Sequence, residues 1–208
     1  MAHVKNTKPE GIPVKKLLMP AFVLLIGAFF AGPAAAECKA EKQPTEMTYT
    51  EMRAFYDCIR PGLIEGYQKR GKNPIALGYS DWKAVSTAPA APGVHSGQYL
   101  MTYVNPLGYD DYVAFQTDGV NMPVGTLIAK ENFSFKKNGT LKKGALLMME
   151  KVGLDNAPDT GGWVYSGVKP NGKKLKVDQK GFCHACHQAW PGQDFLGYPI
   201  REVRVSAN

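Results

Sequence analysis

Five consecutive positions near the C-terminus, Cys183-His184-Ala185-Cys186-His187, hold residue types that can do specific chemistry at a specific spacing. Two thiols three positions apart on one helical turn reach the two vinyl groups of a porphyrin. A histidine directly after the second thiol then presents its imidazole to the iron from the same side. This C-x-x-C-H order is the pattern of c-type haem attachment. Two other chemistries use the same residues. A thioredoxin-like redox pair calls for a surrounding βαβ unit, which the flanking sequence does not supply. A zinc site calls for further ligands, and outside the first 36 residues the only histidine beyond the motif is His95, in a Pro/Ala/Gly stretch. The haem reading leads, with Cys183 and Cys186 as attachment points and His187 as the iron ligand. His184, in the variable part of the motif, reads as a neighbour of solvent or of the porphyrin propionates.

The side of the iron opposite His187 decides what such a haem does. Electron carriers usually place a second strong ligand there, His or Met. His95 is the spare histidine, and Met101, Met122, Met148 and Met149 are available. Met148 and Met149 lie in an apolar run, where core packing is the ordinary role of methionine. No methionine follows the motif in the short remaining sequence. The expectation is an iron whose sixth position is open or weakly occupied, and therefore able to bind small molecules.

The elements that position these residues begin with an address. Lys15-Lys16, the apolar run 17–30 and the small-residue stretch 31–36 form the basic flank, apolar core and A-x-A end of a secretory signal peptide. Fourteen apolar residues containing Pro20 fall short of the roughly 20 that cross a bilayer, although an uncleaved membrane anchor is the rival reading. Residues 1–36 are thus expected to direct export to the periplasm, leaving a mature chain that starts at Glu37. Export also favours disulfides. Cys38 and Cys58, with no histidine beside them, read as a structural disulfide, with two buried free thiols as the alternative. Cys58 sits in a helical pattern of Met52, Phe55, Tyr56, Ile59 and Leu63, opened by the capping box Thr48-Tyr49-Thr50-Glu51. Pro61 is expected to kink or end that helix near Arg60. Residues 37–75 therefore read as an N-terminal helical attachment.

From residue 76 the texture is β. Runs 99–104, 126–135, 145–152, 163–168 and 174–177 are separated by turn signals such as Asn138-Gly139 and Pro170-Asn171-Gly172. Short helices are expected at 106–116 and 181–190. Strands joined by short polar turns favour antiparallel pairing, so residues 76–208 should form an α+β domain, mainly antiparallel sheet with a few helices, with the haem packed against the sheet. The formal charge of +7 includes four lysines and one glutamate from the first 36 residues, leaving a scattered +4 for the rest. That balance is too mild and dispersed for a nucleic-acid surface.

Two charged residues on the strands stand out. Lys130 shares its strand face with Thr126, Ile128, Asn132 and Ser134, so periodicity alone places it on an exposed polar face. Glu150 ends an apolar run and shares a face with Leu146 and Met148, either in water at a strand end or held near an internal partner. Glu131 is the fallback carboxylate, on the face opposite Lys130.

The run Gly125–Glu131, the run ending Met148-Met149-Glu150, and the motif 183–187 followed by Asp194-Phe195 resemble, in the same order, the cytochrome P-460 family. The resemblance implies a dimeric, largely antiparallel β protein with one c-type haem, some members of which oxidise hydroxylamine. It puts Lys130 at the position of a lysine bonded to the porphyrin edge, and Glu150 at that of a proton-handling distal carboxylate. Electrons would leave to an external acceptor such as another cytochrome. The sister group, cytochrome c′-beta, shares the fold, lacks the cross-link and binds nitric oxide or similar gases without turnover. The chain departs from the pattern in its Cys38/Cys58 segment and in a shorter stretch between Lys130 and Glu150.

Overall fold

The structure is a computed structural model that describes Met1, residues 38–40 and residues 42–206. Apart from Met1, the expected signal peptide lies outside these residues. Among the described residues, no helix is long and apolar enough to cross a membrane.

Helix α1 (Tyr49–Gln68) begins where the sequence says it should. Thr48 Oγ1 accepts from the Glu51 backbone N–H, and the Glu51 carboxylate accepts from the Thr48 N–H at 2.9 Å, so two orphan donors are satisfied together. The helix does not end at Pro61. It runs through that residue because its buried stripe continues past it: Met52, Phe55, Tyr56 and Ile59 are followed by Leu63 and Tyr67. Packing of that stripe outweighs the local cost of the proline ring. Cys38 and Cys58 form a disulfide that ties the preceding segment to the middle of α1. Helix α2 (Pro74–Gly78) follows, capped by the Asn73 side chain, and a single helical turn, α3 (Val94–Gly97), precedes the second strand of the sheet.

The sheet contains β1 (Lys83–Ala84), β2 (Tyr99–Val104), β3 (Leu127–Phe135), β4 (Leu141–Lys143), β5 (Leu146–Lys151) and β6 (Trp163–Val168). Every pairing is antiparallel, in the order β1-β2-β3-β5-β6, with β4 on the far end of β3. Strand β3 thus changes partner halfway. Asn132 manages the change: its carbonyl accepts from Gly144 N–H, and its side-chain amide donates to the carbonyls of Lys130 and Ala145. The result is the α+β, mainly antiparallel architecture expected from the strand spacing.

Alternation sorts the strands onto two buried faces. One face, with Tyr99, Met101, Ala129, Phe133, Leu146 and Met148, packs on α1. The other, with Val104, Ile128, Met149, Trp163 and Tyr165, packs on the C-terminal segment and on Tyr112 of helix α4 (Tyr109–Val113). The described residues from 38 onward form one compact unit, and α1 supplies one wall of its core, so the helix is built into the domain rather than appended to it.

Three expected elements are shorter than their sequence patterns. The helix expected over 106–116 is only α4, halted where Phe115 turns to φ +47. The turn at 169–173 closes as expected around Gly172, yet its second arm makes only an isolated bridge, Val168 with Lys174. That arm holds Lys173, Lys174 and Lys176 and has little apolar surface to bury. The helix expected at 181–190 is a wide turn over Gln179–His184 followed by one turn of α-helix, Ala185–His187.

Candidate functional site

The wide turn sets the motif. The Asp178 side chain accepts from Gly181 N–H, and the Asp178 carbonyl accepts from Cys183 N–H five residues on. Cys183 is partly buried against the second core face, and Cys186 is exposed; both are free thiols. His187 is buried. Its Nδ1 faces the Phe195 carbonyl, which can only accept, so Nδ1 carries the proton and Nε2 keeps its lone pair for a metal. The His187 ring lies 5.3 Å from that of Tyr165 and 6.2 Å from that of Trp190. His184 bonds through Nδ1 to the Tyr165 hydroxyl and packs on Phe195.

A strained turn holds the Phe195 carbonyl in place. Asp194 and Phe195 both sit at positive φ, 51° and 64°, a conformation that survives only where surroundings over-determine it. Four contacts do so. The Asp194 carboxylate accepts from Met122 N–H and pairs with Lys151, the Asp194 carbonyl accepts from Trp163 Nε1, and the Phe195 ring lies over Gly161, where a Cβ would come within 2.1 Å.

Lys130 comes to this side of the sheet. Register settles it: Lys130 faces Thr102 on β2 and Leu147 on β5, and its neighbour Ile128 lies opposite Met149 in the second core face. The lysine is 5% exposed rather than on a solvated face, because the C-terminal segment covers it. Its Nζ donates to the Leu196 carbonyl at 3.4 Å, one residue beyond the carbonyl that holds His187. Burial pulls its pKa down to about 8, and its charge is felt by both His187 and His95. Burial and this cationic neighbour press both imidazoles below their usual range, to about 4 and about 3.

The carboxylates go elsewhere. Glu150 is opposite Leu127 and shares the α1 side of the sheet with Leu146 and Met148, half-buried at the end of β5. Lys130 and Glu150 therefore lie on opposite faces. Glu131 is also on the α1 side and fully buried. It accepts from Tyr56 at 2.7 Å and lies 3.4 Å from Arg60, while Tyr56 meets Tyr103 at 2.5 Å. Burial raises its pKa against those partners. Neither carboxylate reaches the His187 side. Within a strand, alternation read both correctly, but relating one strand's faces to another's needs the register.

The Cytochrome P460 family profile matches residues 76–196. The chain belongs to the cytochrome P460 family. No curated protein matches the sequence. Family membership makes this P460 protein a c-type haem protein with an α+β antiparallel fold. Its residues fit the group: two free thiols one helical turn apart, a buried histidine with Nε2 uncommitted, and aromatic rings around it. A zinc reading finds no support in the arrangement, since among the described residues no group of three His, Cys, Asp or Glu side chains is placed to hold a metal ion. Sequence reasoning missed Lys151 and the placement of the His95 ring against that of His187. The signal for Lys151 was its place one step after Glu150, which puts it on the other face; His95 was named as the spare histidine, but nothing local placed it beside His187.

Proposed function

We propose that this is an exported P460 protein that carries one haem through thioethers to Cys183 and Cys186, with His187 on the iron and Lys130 bonded to the porphyrin edge, and that it oxidises hydroxylamine or a related small nitrogen compound. The haem would supply redox chemistry and a metal that binds nitrogen ligands; the rest is the work of this chain. His187 is oriented by the Phe195 carbonyl, and that carbonyl is fixed by the Asp194 turn. Tyr165 and Trp190 shield the imidazole from water. Electrons would pass to an external acceptor such as another cytochrome, and the family resemblance favours a homodimer in the periplasm. The observation that carries the reading is Lys130, buried on the His187 side with its amine beside the segment that orients that histidine.

One observation favours a second reading. Glu150 and Glu131 both lie on the α1 side, which leaves the proposed iron side without either expected proton-handling carboxylate and suits a cytochrome c′-beta-like gas binder. Peptide mapping of the purified holoprotein separates the two. A haem peptide containing residues 183–187 joined through the macrocycle to the Lys130 segment, together with hydroxylamine turnover, supports the enzyme. Haem on the cysteine peptide alone, without turnover, supports the gas binder.

A further inference from the structure

The segment 91–98 carries one feature that neither the motif nor the family accounts for. It is closed at its base by paired backbone hydrogen bonds between Ala90 and Leu100, at 2.8 and 3.3 Å. At its tip His95 takes φ +59, in the left-handed region that side chains other than glycine enter at a cost. Gly97 also takes a positive φ, and the backbone at Gly93 is irregular as well. The outcome of this strained backbone is a histidine ring turned inward, against His187, while Ala91, Pro92, Gly93 and Gly97 stay exposed. Buried Nδ1 of His95 has no hydrogen-bond partner. A buried polar atom left unmade costs on the order of 1–3 kcal/mol, so both its orientation and its strain call for a reason.

The spacing of the two rings supplies one. His95 and His187 have ring centroids 6.1 Å apart, with planes inclined at 41°. Two imidazoles on opposite sides of one metal, each bonded at about 2 Å and each with its ring centre roughly 1 Å beyond the nitrogen, stand about 6 Å apart. A contact between two rings that merely pack also falls within the range for aromatic pairs, roughly 4.5–7 Å. Packing alone, however, explains neither the orphaned nitrogen nor the left-handed backbone beside the exposed Pro92, Gly93 and Gly97.

We propose that His95 is the second axial ligand of the haem iron. This rests on the haem reading above and deepens it. The sixth position is closed at rest, in contrast to the open iron expected from sequence, and a small ligand reaches it by displacing His95. The flanking glycines let the tip swing while the Ala90–Leu100 bridge keeps the base fixed.

The test uses purified holoprotein, wild type and His95→Ala, with three measurements. A pyridine haemochrome assay reads covalent haem whatever the sixth ligand. Ferric electron paramagnetic resonance reads spin state, and carbon monoxide titration of the ferrous protein reads access. The expected wild type is low-spin. His95→Ala becomes high-spin, gains carbon monoxide affinity roughly tenfold or more as the closed population disappears, and returns to low-spin on adding free imidazole. Should His95→Ala not fold, His95→Met must keep a six-coordinate iron but show an altered low-spin signal. A high-spin wild type, or a His95 variant with the wild-type signal, overturns the assignment while leaving the haem reading intact. Absence of covalent haem from the wild type removes the reading beneath it, and this one with it.

Discussion

Lys151 Nζ and the Asp194 carboxylate meet at 2.6 and 2.7 Å, with both side chains under a tenth exposed. The pair ties the end of β5 to the turn whose next carbonyl orients His187. Its ammonium also donates to the Gly161 carbonyl and lies 5.2 Å over the Trp163 ring, so the buried charge is well satisfied.

Breaking this pair from one side should be costly. Lys151→Met leaves a buried carboxylate and is expected to lower unfolding free energy by about 3–5 kcal/mol. Adding Asp194→Asn should recover part of that loss, since the asparagine still accepts from Met122 N–H. Urea denaturation of the single and double variants checks it. A Lys151→Met variant within about 1 kcal/mol of wild type would show that the pair does not hold the turn.

Glu131 makes stability depend on pH in a stated direction. Burial raises its folded pKa above the ordinary value of 4.5. In the window above 4.5 and up to that raised value, the folded chain binds more protons than the unfolded one, so stability falls as pH rises through it. Glu131→Gln keeps a group that can accept from Tyr56 and removes the titration. The difference in urea midpoint between variant and wild type should therefore shift in favour of the variant as pH rises from 4 to 8; a difference that stays flat over that range refutes the assignment.

The chemistry of the motif was legible because it is local. Cys183, Cys186 and His187 are fixed relative to one another by one helical turn, whatever the rest of the chain does. The same holds for the capping box at Thr48 and for alternation within β3 and β5. What was not legible depends on register and on cover. Alternation separated Lys130 from Glu131 but could not say that the C-terminal segment covers the Lys130 face, so a buried lysine read as an exposed one. Nor could it say that Lys130 pairs with Leu147 rather than with a residue of Glu150's parity. Asn132 sets that register by bonding across the β4–β5 break, a long-range use of one side chain. His95 could be named as the spare histidine, but its place beside His187 was not legible, because it depends on the left-handed backbone at that residue.

The disulfide should matter through the unfolded chain. It joins Cys38 to Cys58, a separation of 20 residues, and closing such a loop is worth about 3 kcal/mol in the chain-entropy model. Replacing both cysteines by alanine is expected to lower stability by that order while leaving the α1 core and the haem spectrum unchanged. Parallel denaturation and optical spectra check both halves, and an altered spectrum would mean that the segment reaches further than α1.

The last prediction turns on the opposite faces of Lys130 and Glu150. A side chain that moves protons for a bound substrate must come within hydrogen-bond reach of it, directly or through one water. Glu150 shares its side of the sheet with Leu146 and Met148, beneath α1, whereas Lys130 is on the side of His187. If hydroxylamine is the substrate, Glu150→Gln should keep turnover within about threefold of wild type, far from the roughly 100- to 10,000-fold loss that follows removal of a general acid or base. Lys130→Leu should behave in the opposite way. It replaces a buried amine with a shorter apolar side chain, so the fold should persist, yet the haem would lose its bond to Lys130 and keep only the two thioethers, its spectrum would become that of an ordinary c-type haem, and turnover would collapse. Steady-state rates and optical spectra of the two variants, measured side by side, decide the matter. A large loss in Glu150→Gln with the spectrum intact would mean that the substrate is reached from the α1 side, and would move the site across the sheet.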